Sequence, residues 1–262
     1  MRLPSPRSDD ERDDSAWGGA VTRVGVLGDG ATTAADVVRD AGETVVVGDE
    51  ALASDADVDA VAALGEDALL DALAAASGTP VLPVGVGREY GGVAHEDLPD
   101  ALVALADGDY RVDDRPTLAV DAGETAVRAL ADVTLVTDEP ARISEYAVET
   151  CGRDVDEVRA DGIVVATPAG SHGYAADANG PLLSADAGAL AVVPLAPFRV
   201  EGVQWVLDAP TAVTVVREEA DVSLFVDGRD RGFAAPHAPV ELDWGEPFPV
   251  AVVAASRGVG FE

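Results

Sequence analysis

The residues best suited to chemistry lie where a buried strand gives way to a helix, within residues 161–174. An apolar run over residues 163–166 predicts the strand, which ends near Pro168 because proline has no N–H to donate to a sheet. Small residues at 169–171 predict a tight turn, and residues 172–178 predict a short helix. Free backbone N–H groups at such a turn can bind a phosphate or a hydroxyl-rich nucleotide. The pattern therefore predicts a nucleotide site.

The first glycine turn of the chain could also belong to a dinucleotide site. Gly28 and Gly30 fit the first two glycines of the dinucleotide-binding fingerprint. Asp49 follows about 20 residues later, where a ribose-binding acid is expected. Thr33 takes the place of the third glycine. Two interpretations stay open for this segment: part of a Rossmann-type oxidoreductase, or a plain strand-to-helix turn.

The glycine turn must be positioned by the elements around it. Residues 21–115 are predicted to form an α/β domain that contains this turn. Predicted strands alternate there with predicted helices, which is the pattern of an open parallel sheet. We expect the first helix to be capped by Thr32 or Thr33. Residues 1–20 are expected to form a disordered tail, because they are polar and offer little to bury. The strands are expected over residues 22–27, 43–48, 58–64 and 79–87, and the helices over 32–40, 66–76 and 95–107.

Short strands dominate residues 116–262, which predicts a β-rich second domain. Turn signals such as Asp227-Gly228 separate the strands. The expected fold class is an α/β N-terminal domain with an open parallel sheet, followed by a β-rich, sandwich-like C-terminal domain. The strands are expected over residues 117–120, 133–137, 143–148, 157–166, 189–194, 203–207, 212–217, 222–226 and 250–254.

The charge of the chain is strongly one-sided. It has 17 Arg, no Lys and 49 acidic residues, for a formal net charge of −32. Such a charge makes a compact state repel itself in dilute buffer. At molar salt the Debye length falls to about 3 Å and screens the repulsion. The composition therefore predicts a cytoplasmic protein of an extreme halophile, and it argues against a nucleic-acid partner, because no basic stripe could neutralise phosphates.

Several other classes of site are excluded or disfavoured. Cys151 is the single cysteine, which excludes an intramolecular disulfide and a Cys-based zinc cluster. No apolar run could span a bilayer, and residues 1–17 lack the pattern of a signal peptide, so no membrane partner is expected. His95 and His237 belong to no motif and are expected at the surface. No His, Asp and Glu cluster has metal-ligand spacing, so a metal should arrive with a nucleotide.

Residues 161–181 closely resemble the signature of the NAD kinase family. The family pattern reads DG, a hydrophobic run, TPTGSTAY and, a few residues later, GGP. His172 either places a donor or a pH-sensitive charge at the helix start or has no chemical role. The matching residues are Asp161, Gly162, Thr167, Pro168, Gly170, Ser171, Tyr174, Gly180 and Pro181; the departures are Ala169, His172, Gly173 and Asp177, for Thr, Thr, Ala and Ser.

Further segments extend the resemblance over residues 22–230, in the form of a diverged, haloarchaeal-type member. Residues 65–68 resemble the family's GGDG motif, with Gly65 and Asp67 matched. Residues 79–87 and 109–116 resemble its PVLGINLG and GEYRVEERP segments. Residues 143–145 resemble its Asn-Glu pair, with Glu145 matched and Ser144 in place of Asn.

The resemblance implies a phosphotransferase that converts NAD to NADP. A phosphoryl group would pass from ATP or polyphosphate, with Mg²⁺, to the 2′-hydroxyl of the adenosine ribose of NAD. Asp67 matches the family's essential acid and is the implied general base; otherwise it is an acid that satisfies N–H groups at a helix start. The implied NAD-binding residues are Ser144, Glu145, Asp161, Ala169, Ser171, His172, Gly173, Tyr174 and Asp177, and the implied phosphate-donor contacts are Gly65 and Gly170.

Two alternatives to a kinase remain. Glu66 and Ala68 replace glycine-class residues of the family motif, and Glu66 adds bulk and negative charge beside a phosphate site. A diverged member could therefore bind a nucleotide, with a binding or regulatory role, without phosphorylating it. The weaker alternative is the Rossmann oxidoreductase of Gly28, Gly30 and Asp49. The resemblance also implies a homodimer or homotetramer.

Overall fold

The computed structural model describes residues 23–53, 56–87, 89–139, 142–198, 203–218 and 220–257. The tail predicted at residues 1–20 lies outside this part of the chain. No helix in the described residues is long and apolar enough to cross a membrane. The helices are α1 (Ala31–Asp40), α2 (Glu66–Ala75), α3 (Leu98–Ala106) and α4 (Tyr174–Asp177), and 3₁₀ turns occur at Asp49–Leu52, His95–Asp97 and Gly170–His172.

The strands form three six-stranded sheets. In chain order they are β1 (Arg23–Gly28), β2 (Thr44–Val47), β3 (Ala60–Leu64), β4 (Val81–Val84), β5 (Arg111–Arg115), β6 (Leu118–Ala122), β7 (Thr125–Ala129), β8 (Asp132–Thr137), β9 (Ser144–Thr150), β10 (Arg153–Ala160), β11 (Gly162–Ala166), β12 (Leu190–Leu195), β13 (Trp205–Leu207), β14 (Thr211–Arg217), β15 (Val222–Val226), β16 (Arg229–Phe233), β17 (Pro239–Trp244) and β18 (Phe248–Val252).

The first sheet has the order β2-β1-β3-β4-β18-β5, and β1 to β4 are parallel. Helices α1 and α3 cover one face, and α2 covers the other. Burial on both faces explains why β3 and β4 are continuous apolar runs. The predicted open parallel sheet is confirmed. The cap of α1 differs from the prediction: Gly30, with φ 84°, precedes the helix, and no threonine side chain caps it.

The last strand departs from the predicted domain division. β18 pairs in parallel with β4 and antiparallel with β5, so it belongs to the first sheet. Phe248 and Val250 are buried there with Leu69 and Val81. The strand expected over residues 250–254 therefore does not join the second domain, which lies between β5 and β18. The chain returns to the first sheet because Phe248 and Val250 are buried there.

The second domain is a sandwich of two sheets, with the orders β10-β9-β14-β17-β6-β7 and β13-β12-β11-β8-β15-β16. Its pairings are antiparallel, and the inner faces enclose one apolar core. This confirms the β-rich C-terminal domain. The largest side chains of that core are Leu118, Tyr146 and Leu242 from one sheet and Leu135, Ile163, Leu190 and Leu224 from the other.

The single strand predicted over residues 157–166 is wrong. The chain instead passes from β10 in one sheet to β11 in the other, with Asp161 between them. Every residue of β11 is buried, because Ala175 and Leu183 cover its outer face at Val164. The strands β5, β7, β16 and β17 were not predicted as separate elements. Charged residues interrupt the apolar signal in them, as in β5 (RVDDR) and β16 (RDRGF).

The two domains meet at α2. Leu70 and Leu73 of this helix share an apolar cluster with Leu130 and Ala131, which precede β8. This contact brings the start of α2 close to the end of β11. The turn that follows β3 and the turn that follows β11 consequently border the same cleft.

Candidate active site

The turn after β11 is built by hydrogen bonds to the start of β8. The hydroxyl of Thr167, a residue with no exposed surface, donates to the Leu130 carbonyl at 2.8 Å and accepts from the Gly170 N–H at 3.1 Å. The Thr167 N–H donates to the Ala131 carbonyl at 2.9 Å. A Cβ at Gly170 would lie 2.0 Å from the Ala131 oxygen, so only glycine fits there. The turn is therefore locked onto the segment that enters β8.

This locking changes the predicted role of the turn. The N–H groups of residues 170–173 all donate within the turn, to Thr167 Oγ1 and to the carbonyls of Thr167, Ala169 and Gly170. The Ser171 hydroxyl donates to the Pro168 carbonyl at 2.7 Å and accepts from the Leu183 N–H at 2.9 Å. The polar atoms of Gly170 and Ser171 thus stabilise the turn itself, which argues against the phosphate-donor contact predicted for Gly170 and the NAD contact predicted for Ser171.

Other predicted residues of the same segment have different surroundings. His172 Nε2 lies 2.9 Å from the Leu183 carbonyl oxygen, and Ala169 is buried. Asp177 is exposed on α4. A Cβ at Gly173 would lie 3.3 Å from the carboxyl carbon of Glu89, so this glycine lets the first domain approach closely.

The start of α2 carries the predicted base. Gly65 ends β3 with φ 90°, a value that favours glycine, and α2 begins at Glu66. The Asp67 side chain is 97% exposed and lies 3.3 Å from Arg229 Nη2 in the second domain. The same nitrogen donates to the Asp67 carbonyl at 2.8 Å, and Nη1 donates to Asp71 at 2.8 Å. Asp67 therefore lies at the domain interface with a cation beside it.

A cavity of about 310 Å³, here called the cleft cavity, opens between the two domains. Tyr174 of α4 contributes an aromatic ring, and Thr134 contributes a hydroxyl. Glu66 connects this cavity to the turn before α2. The cavity is lined by Glu66, Glu89, Tyr90, Asp132, Thr134, Val136, Tyr174, Phe225, Asp227 and Gly228.

A buried aspartate, Asp227, and a half-buried one, Asp132, give the cleft cavity its electrostatic character. Burial and the neighbouring Asp227 raise the pKa of Asp132 to about 7, and the Thr134 hydroxyl at 3.2 Å opposes the rise. Burial also raises the pKa of Asp227 to about 6. The hydrogen bonds that its carboxylate accepts from the N–H groups of Leu130, Ala131 and Asp132 act in the opposite direction and lower the pKa. The cavity therefore holds protons near neutral pH that exposed carboxylates would have lost.

Glu66 and Tyr90 extend this acidic lining into the first domain. The Tyr90 hydroxyl donates to Glu66 Oε1 at 3.4 Å. Burial and Glu89 raise the pKa of the Glu66 carboxyl. Burial likewise raises the pKa of the Tyr90 hydroxyl, which stays protonated and available as a donor. Carboxylates of this kind can accept hydrogen bonds from ribose hydroxyls.

A second cavity of about 370 Å³ lies at the carboxyl ends of β1 and β3 and is called the strand-end cavity. The strand order reverses direction there, which is where open α/β sheets commonly bind ligands. Gly28 and Asp49 of the dinucleotide-like fingerprint line it, and Gly30 precedes α1. Glu66 lines both cavities, so they adjoin at the start of α2.

Three predicted NAD-binding residues lie near the end of β8, around Thr137. Ser144 is fully buried, and its hydroxyl lies 2.9 Å from Thr137 Oγ1. The backbone carbonyl of Asp161 accepts a hydrogen bond from the Thr137 N–H at 2.8 Å. Val136, which precedes Thr137 on β8 and pairs with Gly162, lines the cleft cavity, so these contacts lie beside one end of the cavity. Glu145 follows Ser144 in β9, and the NAD-binding role of all three residues stays a prediction.

Sequence reasoning missed most of the acidic lining. Asp132 begins a strand whose remaining residues were predicted, and a polar residue at a strand end was the available signal. Asp227 was read only as part of an Asp-Gly turn. Its burial depends on the pairing of β15 with β8, which the sequence does not indicate. Glu89 and Tyr90 lie in the glycine turn after β4, where no pattern separated them from loop residues.

The described residues contain no group of three or more His, Cys, Asp or Glu side chains arranged to hold a metal ion. The acidic residues of the cleft face a cavity rather than a common point. A Mg²⁺ ion would thus fit best as a companion of nucleotide phosphates, which supply the oxygen ligands that it prefers.

Sequence comparisons relate the chain to NAD kinases. Residues 130–245 match the family model described as the ATP-NAD kinase C-terminal domain. The NAD kinase of Methanosarcina mazei is 30% identical over 168 residues, which cover 62% of this chain and 58% of that protein. The NAD kinase of Geobacter metallireducens is 33% identical over 184 residues, 65% of each chain. The chain thus spans little more than half the length of the first of these relatives.

Solved structures confirm the fold. The NAD kinase of Archaeoglobus fulgidus in complex with ATP superposes with a TM-score of 0.72 at 21% identity, covering 89% of this chain and 94% of that one. Yeast NADH kinase complexed with NADH superposes with a TM-score of 0.75 at 14% identity, covering 91% of this chain and 85% of that one. The chain is therefore similar to NAD kinases in its two-domain fold and in the sequence of residues 130–245, which match the model of the ATP-NAD kinase C-terminal domain.

Proposed function

We propose that the chain phosphorylates the 2′-hydroxyl of the adenosine ribose of NAD, with ATP as the donor, to give NADP. The observation that carries the proposal is the cleft cavity, which both domains line in a chain with the fold of NAD kinases. The relatives bear the name NAD kinase, and one solved neighbour binds ATP. A cavity of about 310 Å³ accommodates part of a dinucleotide, and the adjoining strand-end cavity extends the room.

The lining of the cleft cavity suits the ribose and base of a dinucleotide. Asp132 and Glu66 can accept hydrogen bonds from ribose hydroxyls, and Thr134 can both donate and accept. The ring of Tyr174 is 48% exposed and can stack against a base or a nicotinamide ring. We therefore propose Asp132, Glu66, Thr134 and Tyr174 as NAD contacts.

The start of α2 suits the phosphoryl donor. The first N–H groups of a helix have no acceptor within the helix, and α2 begins beside both cavities. Mg²⁺ arriving with ATP would partly neutralise the charge of its phosphates. Gly65 keeps the chain path open there. These positions replace the turn at residues 170–173 as the proposed phosphate contact, because the N–H groups of that turn are already bonded.

Asp67 is the proposed general base. The ribose oxygen attacks the terminal phosphorus of ATP, the bond from that phosphorus to the bridging oxygen breaks, and ADP leaves. The hydroxyl proton passes to the Asp67 carboxylate. Its side chain is exposed, and Asp67 lines the strand-end cavity at the start of α2.

Formation of NADP tests the proposal. Purified protein in molar KCl is supplied with NAD and Mg²⁺, together with ATP in one assay and polyphosphate in the other. We expect NADP with ATP; product with polyphosphate as well would extend the donor class. Binding of NAD and ATP without any NADP would reject phosphoryl transfer.

Nucleotide binding without transfer is the second candidate function. The pairing of Asp67 with Arg229 favours it, since a neighbouring cation makes a carboxylate a poorer base. The bulk of Glu66 at the donor site favours it too. The assay above separates the two functions, because a binder retains both ligands and releases no product.

Location and assembly complete the proposal. The net charge of −32 supports work at molar salt in the cytoplasm of a halophile, with neither nucleic acid nor membrane as partner. The family resemblance supports a homodimer or homotetramer. Light scattering in molar KCl would measure the assembly directly.

A further inference from the structure

Positive charge is scarce where a phosphate donor would bind. Among the described residues, neither the cleft cavity nor the strand-end cavity has an arginine in its lining, and both are lined by several carboxylates. A triphosphate entering there would meet repulsion unless a cation came close. The guanidinium nearest to the start of α2 is that of Arg229.

Arg229 reaches this point from the other domain. It begins β16, directly after Gly228 and two residues after Asp227, both of which line the cleft cavity. Its Nη1 donates to Asp71 at 2.8 Å, and its Nη2 donates to the Asp67 carbonyl at 2.8 Å and to Asp67 Oδ1 at 3.3 Å. The guanidinium therefore spans the first turn of α2, beside the altered glycine motif.

The partners of Arg229 can be exchanged. The Asp67 side chain is 97% exposed and the Asp71 side chain 55%, and ion pairs this exposed are held weakly. A terminal phosphate carries more charge than one carboxylate and matches the planar fork of a guanidinium with two parallel hydrogen bonds. Triphosphate oxygens can thus displace the carboxylates from Arg229.

We propose that Arg229 binds the terminal phosphates of the donor and that this exchange frees the Asp67 carboxylate. The release of Asp67 as a base rests on the proposed function, whereas phosphate binding by Arg229 does not. The freed carboxylate accepts the proton of the ribose hydroxyl while the ribose oxygen bonds to the terminal phosphorus and ADP leaves. Arg229 supplies the charge that Glu66 and Ala68 do not, where the family motif has glycine-class residues.

The test compares Arg229→Gln with Arg231→Gln. Arg231 lies on the same strand and is exposed, and no ion pair joins it to a carboxylate within the described residues. Tripolyphosphate and ATP are titrated calorimetrically in molar KCl. Arg229→Gln should weaken both by about tenfold or more, Arg229→Lys by less, and Arg231→Gln by little. Equal affinities of Arg229→Gln and Arg231→Gln for tripolyphosphate and ATP would overturn the proposal.

A second variant guards against a folding defect. Asp71→Asn removes the shortest carboxylate contact of Arg229 and one negative charge, so it should tighten tripolyphosphate binding. Loss of a purely structural ion pair would not tighten binding, and weaker binding by Asp71→Asn would contradict the proposal. NAD affinity should stay the same in the Arg229 and Asp71 variants.

Turnover distinguishes this inference from the proposed function. If the parent binds tripolyphosphate through Arg229 but forms no NADP, the proposed function fails and the phosphate site stands. If the parent forms NADP and Arg229→Gln has an unchanged KM for ATP, the inference fails and the proposed function stands.

Discussion

The Asp227 carboxylate accepts a hydrogen bond from the backbone N–H of Asp132 at 3.1 Å, so a buried and a half-buried aspartate lie together at one wall of the cleft. Asp227 also accepts the N–H groups of Leu130 at 2.8 Å and Ala131 at 2.7 Å. The turn between β15 and β16 thereby fixes the entry of β8. Thr167 binds the carbonyls of the same two residues, so one short segment joins both sides of the cleft.

Stability should fall as the pH rises through neutrality. The pKa values of Asp132 and Asp227 in the folded protein, about 7 and about 6, lie above the ordinary 3.8. Between about pH 4 and about pH 7 the folded state therefore holds protons that the unfolded chain has released. Each group lowers the free energy of unfolding by up to about 1.4 kcal/mol per pH unit in its interval. Denaturant unfolding at constant molar KCl measures this slope.

Asp132→Asn should reduce that slope, because the amide does not titrate. Asp109→Asn provides the control, since Asp109 is exposed and lies outside the cleft. A slope that both variants leave equal to that of the parent would show that Asp132 does not carry the pH dependence.

Gly170→Ala should destabilise the second domain. The added Cβ would lie 2.0 Å from the Ala131 carbonyl oxygen, a contact that backbone movement must relieve. Overpacking of this kind costs about 1–3 kcal/mol or more. Gly188→Ala is the matched control, because a Cβ at the exposed Gly188 meets nothing within 4 Å. Equal free energies of unfolding for the two variants would count against the locked turn.

The elements that the sequence predicts well have strong periodic signals. β3 and β11 are continuous apolar runs because each is covered on both faces. Helix α2 shows leucines on one face, and its start at Glu66 was predicted. Charged residues occupy four of the five positions of β5 and three of the five of β16, so only pairing across the sheet defines them as strands.

The site was predictable only in part. Tyr174 and the turn at residues 65–68, which the sequence singles out, line the two cavities. The burial of Asp227 and the approach of Arg229 to Asp67 depend on domain packing, which a local pattern does not encode. Ser171 belongs to the motif that predicts a ligand contact, but its hydroxyl forms a hydrogen bond within the turn instead.

Tyr174→Ala should weaken NAD binding by about tenfold, since an aromatic face and a hydroxyl are lost together. Tyr174→Phe should retain most of the affinity if stacking dominates. Calorimetry in molar KCl measures both. Phe198→Ala removes another exposed ring that does not line the cleft cavity, so it should leave NAD affinity as it is. NAD affinity unaltered by Tyr174→Ala would remove α4 from the site.

The folded state should require salt. With a net charge of −32, the Debye length of about 10 Å in dilute buffer leaves much of the repulsion unscreened, and molar KCl shortens it to about 3 Å. The Tm should therefore rise steeply with KCl. Matching NaCl and KCl series would show that screening rather than one bound ion is responsible. A cooperative transition at a Tm that salt does not change would refute this account.

The rate of NADP formation by the parent and by Asp67→Asn tests the central claim most directly. General-base assistance is typically worth 10²–10⁴-fold, so turnover with NAD and ATP in molar KCl should fall by about that factor. NAD affinity should change little, because Asn can still hydrogen-bond a hydroxyl. NADP formation by the parent that Asp67→Asn leaves untouched would contradict the mechanism.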